Sequence, residues 1–185
     1  MPIHLSFVRS GLAVLVACVL GGCADSTSRV PPGAGGASGS LVGNQAPDFH
    51  TTPVVGPKAT IALRGLRGDV VLLDFWGTFC EPCKKSFPKL EELHRRYAAS
   101  GLHVIGISED EEDDKGKIPP FAESYGARFP LAWDANKAIA KLYNPETMPS
   151  SFLIDRRGLV RFVHVGFHDG EELALEEEIK DLLKQ

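Results

Sequence analysis

Two dense apolar runs, at 70–75 and 102–107, are each short and bounded by Gly, Asp or Ser, the pattern of strands buried on both faces. Between them Phe87, Leu90, Leu93 and Tyr97 recur every three or four residues, which predicts a helix with one apolar face, ended by Gly101. Strand, helix and strand in this order predict a βαβ unit. Pro88 falls inside that helix and should kink it, because it cannot return a hydrogen bond to Lys84. Upstream, 46–49 and 60–63 predict a short hairpin, and Gly65, Gly68 and Asp69 mark the turn into the central strand. Downstream, Pro119-Pro120 opens a helix carrying Phe121 and Tyr125, and 129–134 reads as a short strand. Ala138, Ile139, Leu142 and Tyr143 form the apolar side of a further helix. Residues 151–155 and 159–165, joined by Arg156-Arg157-Gly158, predict an antiparallel hairpin. Leu175, Ile179, Leu182 and Leu183 mark a terminal amphipathic helix. The order implies an α/β fold, with a mixed central sheet flanked by helices and an extra N-terminal β-hairpin.

The first forty residues follow different rules. His4 and Arg9 precede an apolar run at 11–20 that is too short to span a bilayer and has the length of a signal-peptide core. It ends in Leu20-Gly21-Gly22-Cys23, which resembles a bacterial lipobox. On that reading residues 1–22 are a signal peptide and Cys23 becomes the lipidated first residue; an ordinary signal peptide with Cys23 incidental is the alternative. Residues 23–40 then form a flexible linker of Gly, Ala, Ser and Pro, unable to bury apolar surface, and 41–185 form the folded domain.

The chain of 185 residues has room for one domain and some extra sequence. Its formal charge of −4 and pI near 5.9 supply no basic surface for nucleic acid. Loss of residues 1–22 would remove Arg9 and no acid, making the mature chain more acidic by one charge. Of four cysteines only Cys80 and Cys83 lie in the body of the chain, and a bridge that close staples almost nothing. They sit in Cys80-Glu81-Pro82-Cys83, where a buried strand meets a helix. There, free N–H groups and the helix dipole stabilise a thiolate, and both sulfurs meet within one turn. This is a redox site. Half of a zinc site is the alternative, but no second C-x-x-C or C-x-x-H accompanies it. The Pro-x-x-x-Thr-x-x-Cys pattern of a peroxide-reducing cysteine is also absent.

The segment from Phe75-Trp76-Gly77-Thr78-Phe79-Cys80-Glu81-Pro82-Cys83 to Lys84-Lys85-Ser86-Phe87-Pro88 resembles the active-site segment of the ResA/TlpA/CcmG-type membrane-anchored thioredoxin-like proteins. Ala46-Pro47-Asp48-Phe49, Tyr125-Gly126-Ala127-Arg128-Phe129-Pro130 and the stretch from Met148-Pro149-Ser150 to Arg157-Gly158 match that family in the same order. The likeness covers 41–185 and implies a thioredoxin fold, a reversible disulfide and work outside the cytoplasm. Three positions depart from it. Phe79 stands where the family usually has Trp, Asp74 where the anchored members often have Asn, and the acidic run 109–114 is longer than usual.

Cys80, at the helix start, is expected to be the nucleophile and Cys83 the resolving thiol. Asp74 is the one acid in an apolar strand; burial should raise its pKa and suit it to take the Cys83 proton. Otherwise it faces outward or binds neighbouring backbone. The resemblance implies that Met148-Pro149 is a cis peptide beside the cysteines and receives an extended client, with Trp76 among the substrate-facing residues. It also places an acid near the site at Glu109, unless that residue merely opens a solvated acidic loop. His164 and His168 are candidate thiolate-site metal partners, though His164 alternates with apolar residues as a half-exposed strand histidine does. No metal and no cofactor beyond the Cys80–Cys83 disulfide is expected. The implied function is reduction of disulfides in exported proteins, such as apocytochrome c, by a lipid-anchored enzyme facing the periplasm and supplied by a membrane thiol-disulfide electron donor. The alternatives are an oxidising or isomerising enzyme on the same fold, a copper or zinc carrier, and an inactive tethered domain.

Overall fold

A computed structural model describes residues 41–185, so the proposed signal peptide, Cys23 and the linker 23–40 lie outside the described residues. The elements run β1 (His50–Thr51), β2 (Ile61–Ala62), β3 (Val70–Trp76), α1 (Glu81–Tyr97), β4 (Leu102–Ser108), α2 (Ile118–Ser124), β5 (Leu131–Trp133), α3 (Ala138–Tyr143), β6 (Ser150–Ile154), β7 (Val160–Val165) and α4 (Glu171–Leu183). Strands β1 and β2 pair antiparallel as the small extra hairpin. The main sheet has the order β5-β4-β3-β6-β7, with β3, β4 and β5 parallel and β6 and β7 each antiparallel to its inner neighbour.

Every residue of β3 is buried, Asp74 included, as a run apolar at all its other positions requires. Alternation along it divides the interior in two. Val70, Leu72 and Trp76 point into a cluster with Cys83, Phe87 and Leu90 of α1 and Leu175 and Ile179 of α4. Val71, Leu73 and Phe75 point the other way, against Ile139, Ala140 and Tyr143 of α3. Helices thus cover both faces, and the fold is thioredoxin-like.

Helix α1 is continuous across Pro88. Asp134 starts α3, its carboxylate accepting from the N–H groups of Ala138, Ile139 and Ala140, each at 2.9 Å. On that helix Ala140, not Leu142, joins Ile139 and Tyr143 inside; Leu142 is 50% exposed. The helix is six residues long, and its buried side is Ile139, Ala140 and Tyr143. Gly106, beside Asp74 on β4, is dictated by close approach: a Cβ there would stand 2.6 Å from Leu131 Cδ2 and 3.0 Å from Trp76 Nε1.

Candidate active site

Cys80 occupies the N-cap of α1, and Pro82 lies in its first turn, where a missing N–H costs nothing. The Cys80 Sγ accepts from the Cys83 N–H at 3.2 Å, so the helix start directs a donor at the outer sulfur. The two cysteines form a disulfide, with Cα atoms 5.3 Å apart. Cys80 is 6% exposed and Cys83 fully buried, the order expected of an outer attacking and an inner resolving sulfur.

Asp74 lies in the middle of β3, on the α1 side between Leu72 and Trp76, and is completely buried. It does not face outward. Burial pushes its carboxyl up to about 7, and a hydrogen bond from Ser151 pulls it partly back. Ser151, directly opposite on β6, donates its hydroxyl to Asp74 Oδ1 at 2.6 Å. Oδ2 is buried with no hydrogen-bond partner. A carboxylate so poorly solvated at neutral pH is unusual outside sites that move protons.

The Met148–Pro149 peptide is cis, as the resemblance implies. Pro149 is buried and its carbonyl accepts from the Gly166 N–H at 2.8 Å, while Met148 is half-buried.

Trp76 does not face substrate, contrary to what the resemblance implies: it is fully buried, its ring 4.5 Å from that of Phe87 and 4.8 Å from that of Phe121. The parity of β3 turns it inward with Leu72. The exposed aromatic beside Cys80 is Phe79, 62% exposed, on the rim of a groove of about 340 Å³ lined also by Pro120, Phe121 and Tyr125.

The acidic run is not uniformly solvated. Glu109, just beyond β4, is half-buried, and its N–H donates to the Trp76 carbonyl at 2.8 Å. Burial raises its pKa, with Asp134 adding to the shift and Lys137 opposing it. Asp110, which nothing in the sequence separates from the other acids of the run, is 2% exposed. Its carboxylate accepts from the Thr78 N–H at 3.1 Å, the Thr78 hydroxyl at 2.6 Å and the Ser108 hydroxyl at 2.7 Å. It thereby pins the loop that leads into Cys80. The Trp133 indole donates to the Asp110 carbonyl at 2.8 Å, and the Lys115 ammonium lies 4.2 Å from the Trp133 ring centre. Within the run 109–114 only Glu111, Glu112 and Asp113 are exposed, with Lys137 paired to Glu111.

His164 Nε2 lies 2.7 Å from Glu178 and its Nδ1 3.4 Å from Glu171, so both ring nitrogens address α4 rather than the cysteines. No cluster of three metal-ligating side chains occurs among the described residues.

The profile of the AhpC/TSA family matches residues 42–163. The thiol-disulfide oxidoreductase ResA of Bacillus anthracis is 39% identical over 132 residues, covering 71% of this chain and 74% of the relative. ResA of Bacillus subtilis is 33% identical over 160 residues, 86% of this chain and 84% of the relative. Among solved structures, a Chlorobium tepidum protein assigned as thiol:disulfide interchange protein DsbE superimposes with a TM-score of 0.69 at 36% identity, over 75% of this chain and 95% of that one.

Proposed function

The chain belongs to the AhpC/TSA family and is a thiol-disulfide oxidoreductase, and on that premise we propose that it reduces disulfides in exported proteins, apocytochrome c among them. The observation that carries the reading is the stack at the start of α1: an outer sulfur held by a helix N–H, an inner sulfur fully buried, and a buried acid on the strand face beneath.

The cycle follows from that stack. The Cys80 thiolate attacks a client disulfide; a Cys80–client bond forms and the departing client sulfur takes a proton from solvent. Cys83 then gives its proton to the Asp74 carboxylate and attacks the Cys80 sulfur, expelling the second client sulfur as a thiolate that takes a proton from solvent and leaving the Cys80–Cys83 disulfide. Two electrons have passed to the client. A membrane dithiol donor returns them by the reverse exchange, and no other cofactor is needed. The Met148 backbone, next to cis Pro149, aligns the extended client, and Glu109 supplies a half-buried carboxyl at the end of the neighbouring strand.

Charge favours the reducing direction. A site oxidises strongly when its reduced thiolate is unusually stable. Here Glu81 adds a carboxylate between the cysteines and Asp74 lies below, while the opposing Lys84 is drawn to Glu81 at 2.6 Å and half spent on it. The same reading places the domain outside the cytoplasm, tethered by lipid on Cys23; no helix among the described residues is long and apolar enough to cross a membrane.

Cys83→Ser should stall the cycle at the mixed disulfide. Expressed in cells, that variant should accumulate covalent complexes at Cys80 with exported cysteine proteins. Absence of such complexes, while a Cys80→Ser control behaves identically, would remove the reductase assignment.

A further inference from the structure

The register pairs of the main sheet line up one row: Gly106 on β4, Asp74 on β3, Ser151 on β6 and His164 on β7. Alternation puts the last three on the same face, with Leu72, Leu153 and Phe162, beneath α1 and α4. The inner end of the row is the 2.6 Å hydrogen bond from Ser151 to Asp74. Its middle is a cavity of about 10 Å³, room for roughly one water molecule, walled mostly by apolar side chains such as Leu90, Leu93 and Leu175, with Ser151 and His164 as the polar groups at its two ends. Its outer end is His164 between Glu171 and Glu178, all three side chains 16–22% exposed and so in reach of solvent.

We propose that His164, backed by Glu171 and Glu178, is the outer proton terminal of Asp74, reached through the Ser151 hydroxyl and a single water in the intervening cavity. The inference rests on Asp74 acting as the internal base. When a client or donor is joined to Cys80 it covers the upper side of the site, so protons must reach Asp74 from below. In the re-reducing half of the cycle a donor thiolate attacks Cys80, the Cys80–Cys83 bond breaks, and Cys83 leaves as a thiolate that needs a proton. Below about pH 7 Asp74 already carries one. Above it Asp74 is ionised, and the proton passes from Nδ1 of the His164 imidazolium, which is 3.4 Å from Glu171 while Nε2 is held by Glu178, to water, from water to the Ser151 oxygen, from the Ser151 hydroxyl to Asp74 and on to Cys83. His164 reloads from solvent along Glu171 or Glu178.

The surroundings of His164 suit that duty. Burial lowers its pKa, but hydrogen bonding and charge from Glu178 and Glu171 outweigh burial and hold it above the usual histidine value. Helix α4 also contributes Glu172 to the cavity wall, and α1 contributes Lys89, which pairs with Glu172 at 3.5 Å. The loop after β7 brings His168, whose backbone N–H donates to Glu171 at 2.9 Å. Strand β6 presents Ser151 itself.

The test is single-turnover reduction of the oxidised protein by a dithiol, from about pH 6 to 9. His164→Ala should be near the parent rate at the acid end and fall by roughly tenfold to a hundredfold just above about pH 7, where Asp74 has given up its proton, with imidazole in the buffer restoring it saturably. His164→Gln, which keeps a donor for Glu178 but cannot titrate, should show the same loss and so separates proton delivery from folding. Ser151→Ala should lose rate in the same pH range without imidazole rescue, and Ser151→Thr should retain it. A slowing of both His164 variants that is uniform in pH and indifferent to imidazole, or no slowing at all, overturns the proposal. If Asp74→Asn slows the step while His164→Gln does not, the internal base stands and the route falls. If Asp74→Asn also has no effect, the base assignment falls with it.

Discussion

Thr78 and Asp110 stand 32 residues apart in sequence, yet the Asp110 carboxylate takes both the backbone N–H and the hydroxyl of Thr78, two residues before the outer cysteine. The loop that delivers Cys80 to the helix start is therefore fixed by the end of the neighbouring strand. Asp110→Ala would leave the half-buried Thr78 donors and the buried Ser108 hydroxyl without their acceptor. It should destabilise the fold by about 2–4 kcal/mol in a urea titration and slow attack by Cys80 on a model disulfide. A second-order rate equal to the parent's would show that Thr78 needs no such anchor.

Asp74→Asn should stabilise the oxidised protein. The folded carboxyl titrates near 7 and the unfolded one near 4, so the folded state favours the protonated form. The associated stability is fully present below about pH 4 and is lost as pH rises toward 7, above which a buried charge costs on the order of 4 kcal/mol. The asparagine variant should gain a part of that at about pH 8 and nothing comparable at about pH 4. Chemical denaturation at both pH values checks it, and equal gains at both would mean that Asp74 is not the titrating group.

Asp155 has the opposite sign. Burial would raise its pKa, but the N–H groups of Leu159 and Arg157, both 2.9 Å away, and Arg161 at 3.1 Å hold it below the usual carboxylate range. Its contribution is therefore complete above about pH 4 and disappears as pH falls through the lowered value. Asp155→Asn should cost about 2 kcal/mol at neutral pH and leave a shallower loss of stability on acidification. Melting curves at about pH 7 and 3 give the comparison.

The reduction potential should lie toward thioredoxin's roughly −270 mV and below the roughly −180 mV of protein disulfide isomerase. Equilibration with glutathione buffers followed by thiol alkylation and mass measurement reads it directly. A value above about −180 mV would establish the oxidising alternative.

Cys23→Ser should release the protein from membranes into the soluble fraction. Retention that only detergent reverses would mean that lipid on Cys23 is not the tether.

The parts legible in the sequence are those decided locally. The C-x-x-C at a strand-to-helix junction, the acid inside β3 and the two apolar periods survive translation into structure because each depends on neighbours within a few residues. What stayed hidden depends on pairing between distant segments. Ser151 looks like any strand serine until the β3–β6 register sets it against Asp74. Asp110 looks like one of six consecutive acids until the close of β4 turns it inward. Trp76 is buried while Phe79 is the exposed aromatic beside Cys80, a difference the sequence hides because a strand buried on both faces has no polar alternation to say which way a ring points.

The enclosure of Trp76 has an optical consequence. Its indole lies in the same dry cluster as Cys80 and Cys83, so its emission should be blue-edged, dimmed by the nearby disulfide and brightened when that bond opens. Trp133, half-exposed under the Lys115 ammonium, should emit further to the red and respond to movement of the acidic loop instead. One unlabelled spectrum can thus follow the sulfurs and the loop as two separate colours.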